Sequence, residues 1–287
     1  SRSTGRPLFW LLAAGAVVVG TQLAGGNLVS LAAGSVVGTV MAVFGAGGGL
    51  LSIPTLDVVF HLSPTAAATG SLVIVGATAL ISTLHGFWRK DQYLDWRTGL
   101  AVGFVGFPMA YLGGLLASVL PHSALQVGLA GLMGVAAVKT WRGSSARVSS
   151  IGDLSGASWI FRVAGIGASA GLLTGLLGIG GAFLLVPALA AARVVDFKTA
   201  TTTVVMVTAM NSVAGLSARA GELAGVDWSV VGPFALAAVV AGVVGKRVKD
   251  MFSARGLQRG FAVGLVGLAG FTGFEALAAL TGSSALA

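Results

Sequence analysis

Cysteine is absent from the 287-residue chain, and histidine (three), tyrosine (two) and carboxylates (nine) are scarce. Without a thiol there is no disulfide, no thiolate zinc site and no iron–sulfur cluster. Charged side chains make up 9% of the residues, against about 25% in a soluble globular chain. So little charge cannot coat a water-soluble fold of this length. What the chain has instead is 55% hydrophobic residues and a mean hydropathy of +0.93, the composition of an integral membrane protein. Its 45 glycines would be costly in soluble helices, whereas in a membrane bundle they permit close helix contact. The net charge of +8 is spread over short gaps between apolar runs. That pattern reads as loop charge that sets topology, not as a nucleic-acid face, and no nucleic-acid partner is expected.

Apolar runs lie at about 7–24, 28–44, 50–62, 66–86, 98–120, 123–140, 160–177, 183–192, 199–218, 228–245 and 257–280. A spanning helix needs about 20 apolar residues, and most of these runs qualify. The runs 50–62 and 183–192 are too short, and both follow a glycine cluster. Laying 34–69 on 167–202 at a constant offset of 133 gives ten identities in 36 positions, among them Gly34/Gly167, Gly38/Gly171, Gly45/Gly178, Gly47/Gly180, Gly48/Gly181, Pro54/Pro187 and Thr69/Thr202. After a one-residue slip the match resumes with Asp95-Trp96 on Asp227-Trp228 and Leu125-Gln126 on Leu257-Gln258. The chain thus reads as two related halves behind one extra helix.

Lysine and arginine set the orientation, because short basic loops stay cytoplasmic. The loop with Arg89, Lys90 and Arg97 is basic in the first half. Its counterpart in the second sets Arg219 against Glu222 and Asp227, and the following loop, with Lys246, Arg247, Lys249 and Arg255, is the basic one. Equivalent loops therefore face opposite sides. The expected fold is an all-α polytopic membrane protein of two inverted-topology repeats, each a glycine-broken helical hairpin plus three transmembrane helices. Its parts are an extra N-terminal transmembrane helix (1–27), a first repeat (28–142), a cytoplasmic linker (143–159), an inverted second repeat (160–281) and a C-terminal tail (282–287). The N-terminus is expected in the cytoplasm and the C-terminus outside. Such repeats are common in transporters, with the binding site near the midplane.

The two glycine signatures run from Phe44 to Pro54 and from Leu177 to Pro187. Consecutive glycines at bilayer depth leave backbone amides that lipid cannot pair, so such a break must line protein or a watery cavity. Helix starts carry partial positive charge, which makes two facing breaks an anion cradle. The other reading, that these glycines only let helices pack, stays open at this point. The helix after each break holds uncharged donors: Thr65, Thr69 and Ser71, then Thr199, Thr201, Thr202, Thr203 and, farther along, Asn211. These either meet an oxyanion or bond back to their own helix turn. The candidate substrate ligands are Gly45, Gly47, Gly48, Gly49, Thr69, Ser71, Gly178, Gly180, Gly181, Thr202, Thr203 and Asn211. His85 is a candidate gate or proton-linked group, or else an interfacial anchor. Few carboxylates fall inside the runs, Asp57 and Glu275 being the exceptions, so no metal site is expected. No hydrolase or zinc-protease motif is present, so no enzyme and no cofactor are expected either.

These paired glycine signatures, each closed by a proline and followed by an Ala-rich Thr/Ser helix, with Asp-Trp opening a later span in both halves, resemble the sulfite exporter TauE/SafE family. Gly45, Gly47, Gly48 and Gly49 match the family's Gly-x-Gly-Gly-Gly core, while Ala182 replaces the last glycine in the second half. The resemblance implies a secondary transporter of the cell membrane that moves sulfite, sulfonates or a related sulfur-containing oxyanion by alternating access. It selects neither the anion nor an oligomeric state. A membrane anchor subunit, or an importer of a different small anion, is the alternative.

Overall fold

The computed structural model describes residues 28–44, 48–89, 93–117, 119–120, 157–180, 185–186, 188–189 and 197–250. Its regular elements are all helical. They are α1 (Leu28–Phe44), α2 (Gly48–Pro54) running into a π-helical turn (Thr55–Val59), α3 (Pro64–Trp88), α4 (Trp96–Ala117), α5 (Ala157–Leu177), α6 (Phe197–Ala218), a 3₁₀ turn (Ala220–Gly225) and α7 (Trp228–Asp250). Helix α5 takes in the last residues assigned by sequence to the linker. The expected helix at 7–24, the runs 123–140 and 257–280 with Glu275, and most of the linker lie outside the described residues.

Helix starts follow the local sequence. Pro54 removes one backbone donor at the end of α2, the ladder widens into the π turn, and Thr55 Oγ1 donates to the Leu51 carbonyl at 2.6 Å. The chain then reverses through His61 at φ +53°, and Ser63 caps α3 by accepting from Ala66 N at 3.3 Å, with Pro64 in the first turn. The repeated Asp-Trp pairs are caps as well. Asp95 accepts from Thr98 N at 3.2 Å and Thr98 Oγ1 at 2.6 Å to open α4. Asp227 accepts from Ser229 N at 2.9 Å and Ser229 Oγ at 2.6 Å to open α7.

Among the described residues five helices are long and apolar enough to cross a bilayer: α3, α4, most of α5, most of α6 and α7 up to Gly245. Large apolar side chains such as Phe104 (80% exposed) and Phe161 (77%) point outward, which suits lipid and not water. Trp88, Trp96 and Trp228 stand exposed at helix ends, where aromatic rings favour the membrane interface. The chain is a multi-pass membrane protein.

Helices α3 and α6 occupy the middle and pack on each other. Helix α6 is the least apolar of the five and the most buried, so its hydroxyls face protein. Around this pair, α1 packs on α7 and α5 packs on α4. Both seams rest on glycines. A methyl on Gly34 or Gly38 would overlap the carbonyl of Phe234 or Ala238, and a methyl on Gly167 or Gly171 would overlap that of Val102 or Gly106. Adding 133 to the α1 numbers and subtracting 132 from the α7 numbers converts the first set of contacts into the second. Each sequence half thus lends its first helix to the other half's Trp-led helix. Val37, Leu56, Ile74, Val231 and Phe234 pack in one apolar cluster across that junction, with the rings of Phe60 and Phe234 edge to face at 6.5 Å.

Candidate functional site

Helix α5 stops where Gly178 N donates to the Thr174 carbonyl at 2.9 Å. Gly178 and Gly180 then take φ of +72° and +78°, a left-handed backbone that a residue with a Cβ adopts only at a cost. The second signature is therefore a break in the helix, whereas the Gly-x-x-x-Gly spacings of α1 and α5 serve close packing. In the first signature Gly48 and Gly49 open α2, and Gly45 and Gly47 lie outside the described residues, as does Gly181.

The start of α2 meets the second break. A methyl on Gly49 would overlap the carbonyl of Ile179. Gly178 lies against Ala68, and Gly180 lies against Val75 of α3 and Thr208 of α6. Val75 and Thr208 are 133 positions apart, the repeat offset, so equivalent residues of the two central helices converge on one glycine.

The predicted side chains fall on this central pair with different environments. The Thr69 hydroxyl, fully buried, donates to Glu222 Oε2 at 2.6 Å. Thr203 Oγ1 accepts from Asp95 N at 3.0 Å. Thr202 is buried on α6. Ser71 and Asn211 are completely buried, and their polar side-chain atoms have no hydrogen-bond partner among the described residues. Asn211 packs over Gly106 of α4. His85 stands apart from this group, half-buried in the last turn of α3.

Sequence reasoning passed over three residues here. Thr208 and Ser212 are buried on α6 without a hydrogen-bond partner among the described residues. Their signal was the helical spacing of Thr201, Thr208 and Ser212 within an otherwise apolar run. Arg219, read as a loop charge, is only 5% exposed. Its Nη2 donates to the last carbonyls of α5, Gly175 at 2.9 Å and Leu176 at 3.0 Å, and its Nη1 lies 3.5 Å from Glu222 Oε2. Burial lowers the Arg219 pKa, and Glu222 partly offsets this.

Chemically the centre is mostly hydroxyls and one carboxamide, with the Glu222 carboxylate and Arg219 at its edge. Among the described residues no cluster of His, Asp and Glu has the grouping that holds a metal ion. Such a centre suits a small anion, whose oxygens accept hydrogen bonds.

A family model for the sulfite exporter TauE/SafE matches residues 30–272. A probable membrane transporter protein of Xylella fastidiosa is 25% identical over 229 residues, covering 79% of this chain and 86% of its own. A probable membrane transporter protein of Methanocaldococcus jannaschii is 28% identical over 188 residues, covering 64% of this chain and 68% of its own. No solved structure matches. With the family match running from the start of α1 to beyond the end of α7, the chain belongs to the TauE/SafE family of membrane transporters.

Proposed function

We propose that the protein is a secondary transporter that exports sulfite, a sulfonate or a related organosulfur anion, binding it where the start of α2 meets the second glycine break. The observation that carries this reading is the contact of Gly49 with the Ile179 carbonyl, with Gly180 seated between Val75 and Thr208. Backbone amides freed at such breaks, here those of Gly47, Gly48, Gly180 and Gly181, donate to the anion. Thr69 and Thr202 stand on the central helices α3 and α6. An inside-negative potential favours export by about 2.3 kcal/mol per charge per 100 mV. The chemistry needs no cofactor and no bond is made or broken, so the protein is a carrier and not an enzyme.

The inverted repeat belongs to the same proposal. It is supported by the exchange of α1–α7 contacts into α5–α4 contacts under the repeat offset, and by the opposite charge of equivalent loops. It puts the N-terminus in the cytoplasm and the C-terminus outside. Alternating access then moves packed pairs of helices, α1 with α7 and α4 with α5, about the α3–α6 centre.

The test is a thermal-shift screen of detergent-purified protein against sulfite, thiosulfate, sulfate, sulfoacetate, taurine and chloride, followed by flux in liposomes. A ligand at 100 times its Kd stabilises by about 2.7 kcal/mol, so one sulfur oxyanion is expected to raise Tm selectively. No response to any of them contradicts the proposal.

A further inference from the structure

Most hydroxyl groups in the described helices have a partner, and many bond back to their own helix. Ser35, Thr39, Thr78, Thr83, Thr174 and Ser217 each donate to the carbonyl four residues back, at 2.7 to 2.8 Å. This is the usual resting arrangement of a helical hydroxyl. Ser71, Thr208 and Ser212 do otherwise. They are at most 1% exposed, and their oxygens have no hydrogen-bond partner among the described residues. Ser30, also without a partner among the described residues, stands in the first turn of α1.

Thr208 and Ser212 stand one turn apart on α6, and Ser71 lies on α3. Thr208 Cγ2 lies 3.2 Å from where a methyl on Gly180 would stand, and Ser212 Cβ lies 3.0 Å from where one on Gly76 would stand. Ser71 is one turn before Val75 on α3, on the stripe that begins with Ala68, and Ala68 and Val75 touch Gly178 and Gly180. Thr208 and Ser212 therefore border the α3–α6 seam behind the second break. A buried hydroxyl without a partner is a standing cost to the fold. Each of these has a residue of its own helix four positions back and makes no hydrogen bond to its carbonyl.

We propose that Thr208 and Ser212, unpartnered and one turn apart on α6, are ligands of the transported oxyanion and donate their O–H groups to its oxygens. This rests on the transporter reading and names side chains of the same site, adding Thr208 and Ser212 to it. The ligand class is a small oxyanion: side chains four apart on a helix stand about 5–6 Å from each other, a gap that two oxygens of one such anion bridge. Because hydroxyls carry no charge, the seam holds the anion without a fixed counter-ion and releases it once the helices move.

The experiment uses full-length protein in detergent with sulfite and thiosulfate as probes, reading Kd by calorimetry and ligand-free Tm separately. Thr208→Val keeps the shape and removes the hydroxyl, Ser212→Ala does the same for serine, and Thr78→Val removes a back-bonded hydroxyl as control. A lost hydrogen bond to a charged acceptor weakens affinity by about ten- to a hundredfold. That loss is expected for Thr208→Val and Ser212→Ala, with ligand-free Tm unchanged or raised, because an unpaired polar group has been removed. Thr208→Ser should recover much of the affinity, and Thr78→Val should bind as wild type. If wild type binds and Thr208→Val and Ser212→Ala bind equally well, the hydroxyls are not ligands. If wild type binds neither probe nor any other anion of the screen, the transporter reading fails and this inference falls with it.

Discussion

The Thr69 hydroxyl donates to Glu222 Oε2 at 2.6 Å, joining α3 to the turn after α6. The same oxygen lies 3.5 Å from Arg219 Nη1, and Arg219 holds the final carbonyls of α5. One carboxylate thus ties the first central helix to the helix end that leads into Gly178. Glu222→Ala leaves the buried guanidinium without its anion. Breaking a fully buried pair costs about 3–5 kcal/mol. Glu222 is 27% exposed, so a loss of about 1–3 kcal/mol is expected after screening. Thr69→Val removes one hydrogen bond to that carboxylate, about 1.5 kcal/mol at this partly exposed site, and keeps the Arg219–Glu222 pair, whereas Glu222→Ala loses both. Thermal unfolding in detergent should rank Glu222→Ala below Thr69→Val; the reverse order would mean that Arg219 does not depend on Glu222.

The glycine seams make a paired prediction. Gly38→Ala and Gly171→Ala each drive a methyl into the backbone of the partner helix, and overpacking of this kind costs about 1–3 kcal/mol. Because the two contacts are equivalent under the repeat offset, the two losses should be similar. A methyl on Gly165 of α5 meets nothing within 4 Å, so Gly165→Ala should be neutral or gain up to about 1 kcal/mol from helix propensity. Unfolding temperatures of the three variants, measured side by side, check this.

How much of this was legible beforehand depended on whether a feature repeats. Glycine spacing showed that helices approach closely, and the short runs after each cluster marked the breaks, because both recur at one offset. The partner of each seam was not legible: Gly34 and Gly38 announce a close neighbour, but nothing in α1 says that it is α7 of the other half. Arg219 looked like a loop charge because its acceptors are backbone carbonyls 43 and 44 residues upstream, atoms that every sequence has. Thr208 and Ser212 were hidden for a related reason, since a side-chain torsion decides whether a helical hydroxyl bonds back or turns away.

Asp227 gives a pH prediction. Its hydrogen bonds from the Ser229 side chain and backbone hold the carboxyl below its ordinary value of 3.8. A carboxyl depressed in the folded state adds stability that is full above the ordinary value and is lost as pH falls through the folded one. Acid unfolding should therefore weaken α7 docking below about pH 4. Asn caps a helix nearly as well as Asp but does not titrate in this range, so Asp227→Asn should flatten that part of the stability curve and leave neutral stability almost unchanged. An unaltered acid limb would mean that Asp227 is not the titrating cap.

Topology can be read directly from equivalent loops. Reporter fusions at Arg97 and at Glu222 should lie on opposite sides, the first inside and the second outside, as the charge pattern implies. The same side at both would remove the inverted repeat and, with it, the expected placement of the termini.

The crossed packing makes a claim about motion that a chain without cysteine is well suited to test. Ser35 of α1 and Ala241 of α7 line one groove between those helices, so Ser35→Cys with Ala241→Cys places the only two thiols in the protein within reach of a short bifunctional reagent. The α1–α7 seam is backbone against backbone at Gly34 and Gly38, and close-packed surfaces shift between discrete arrangements instead of deforming continuously. If alternating access moves α1 and α7 as one unit, the bridged protein should transport about as fast as the unbridged one in liposomes. Arrest on bridging, relieved when a cleavable reagent is reduced, would show that the moving boundary runs between α1 and α7, and that the sequence halves, not the crossed pairs, are the bodies that move.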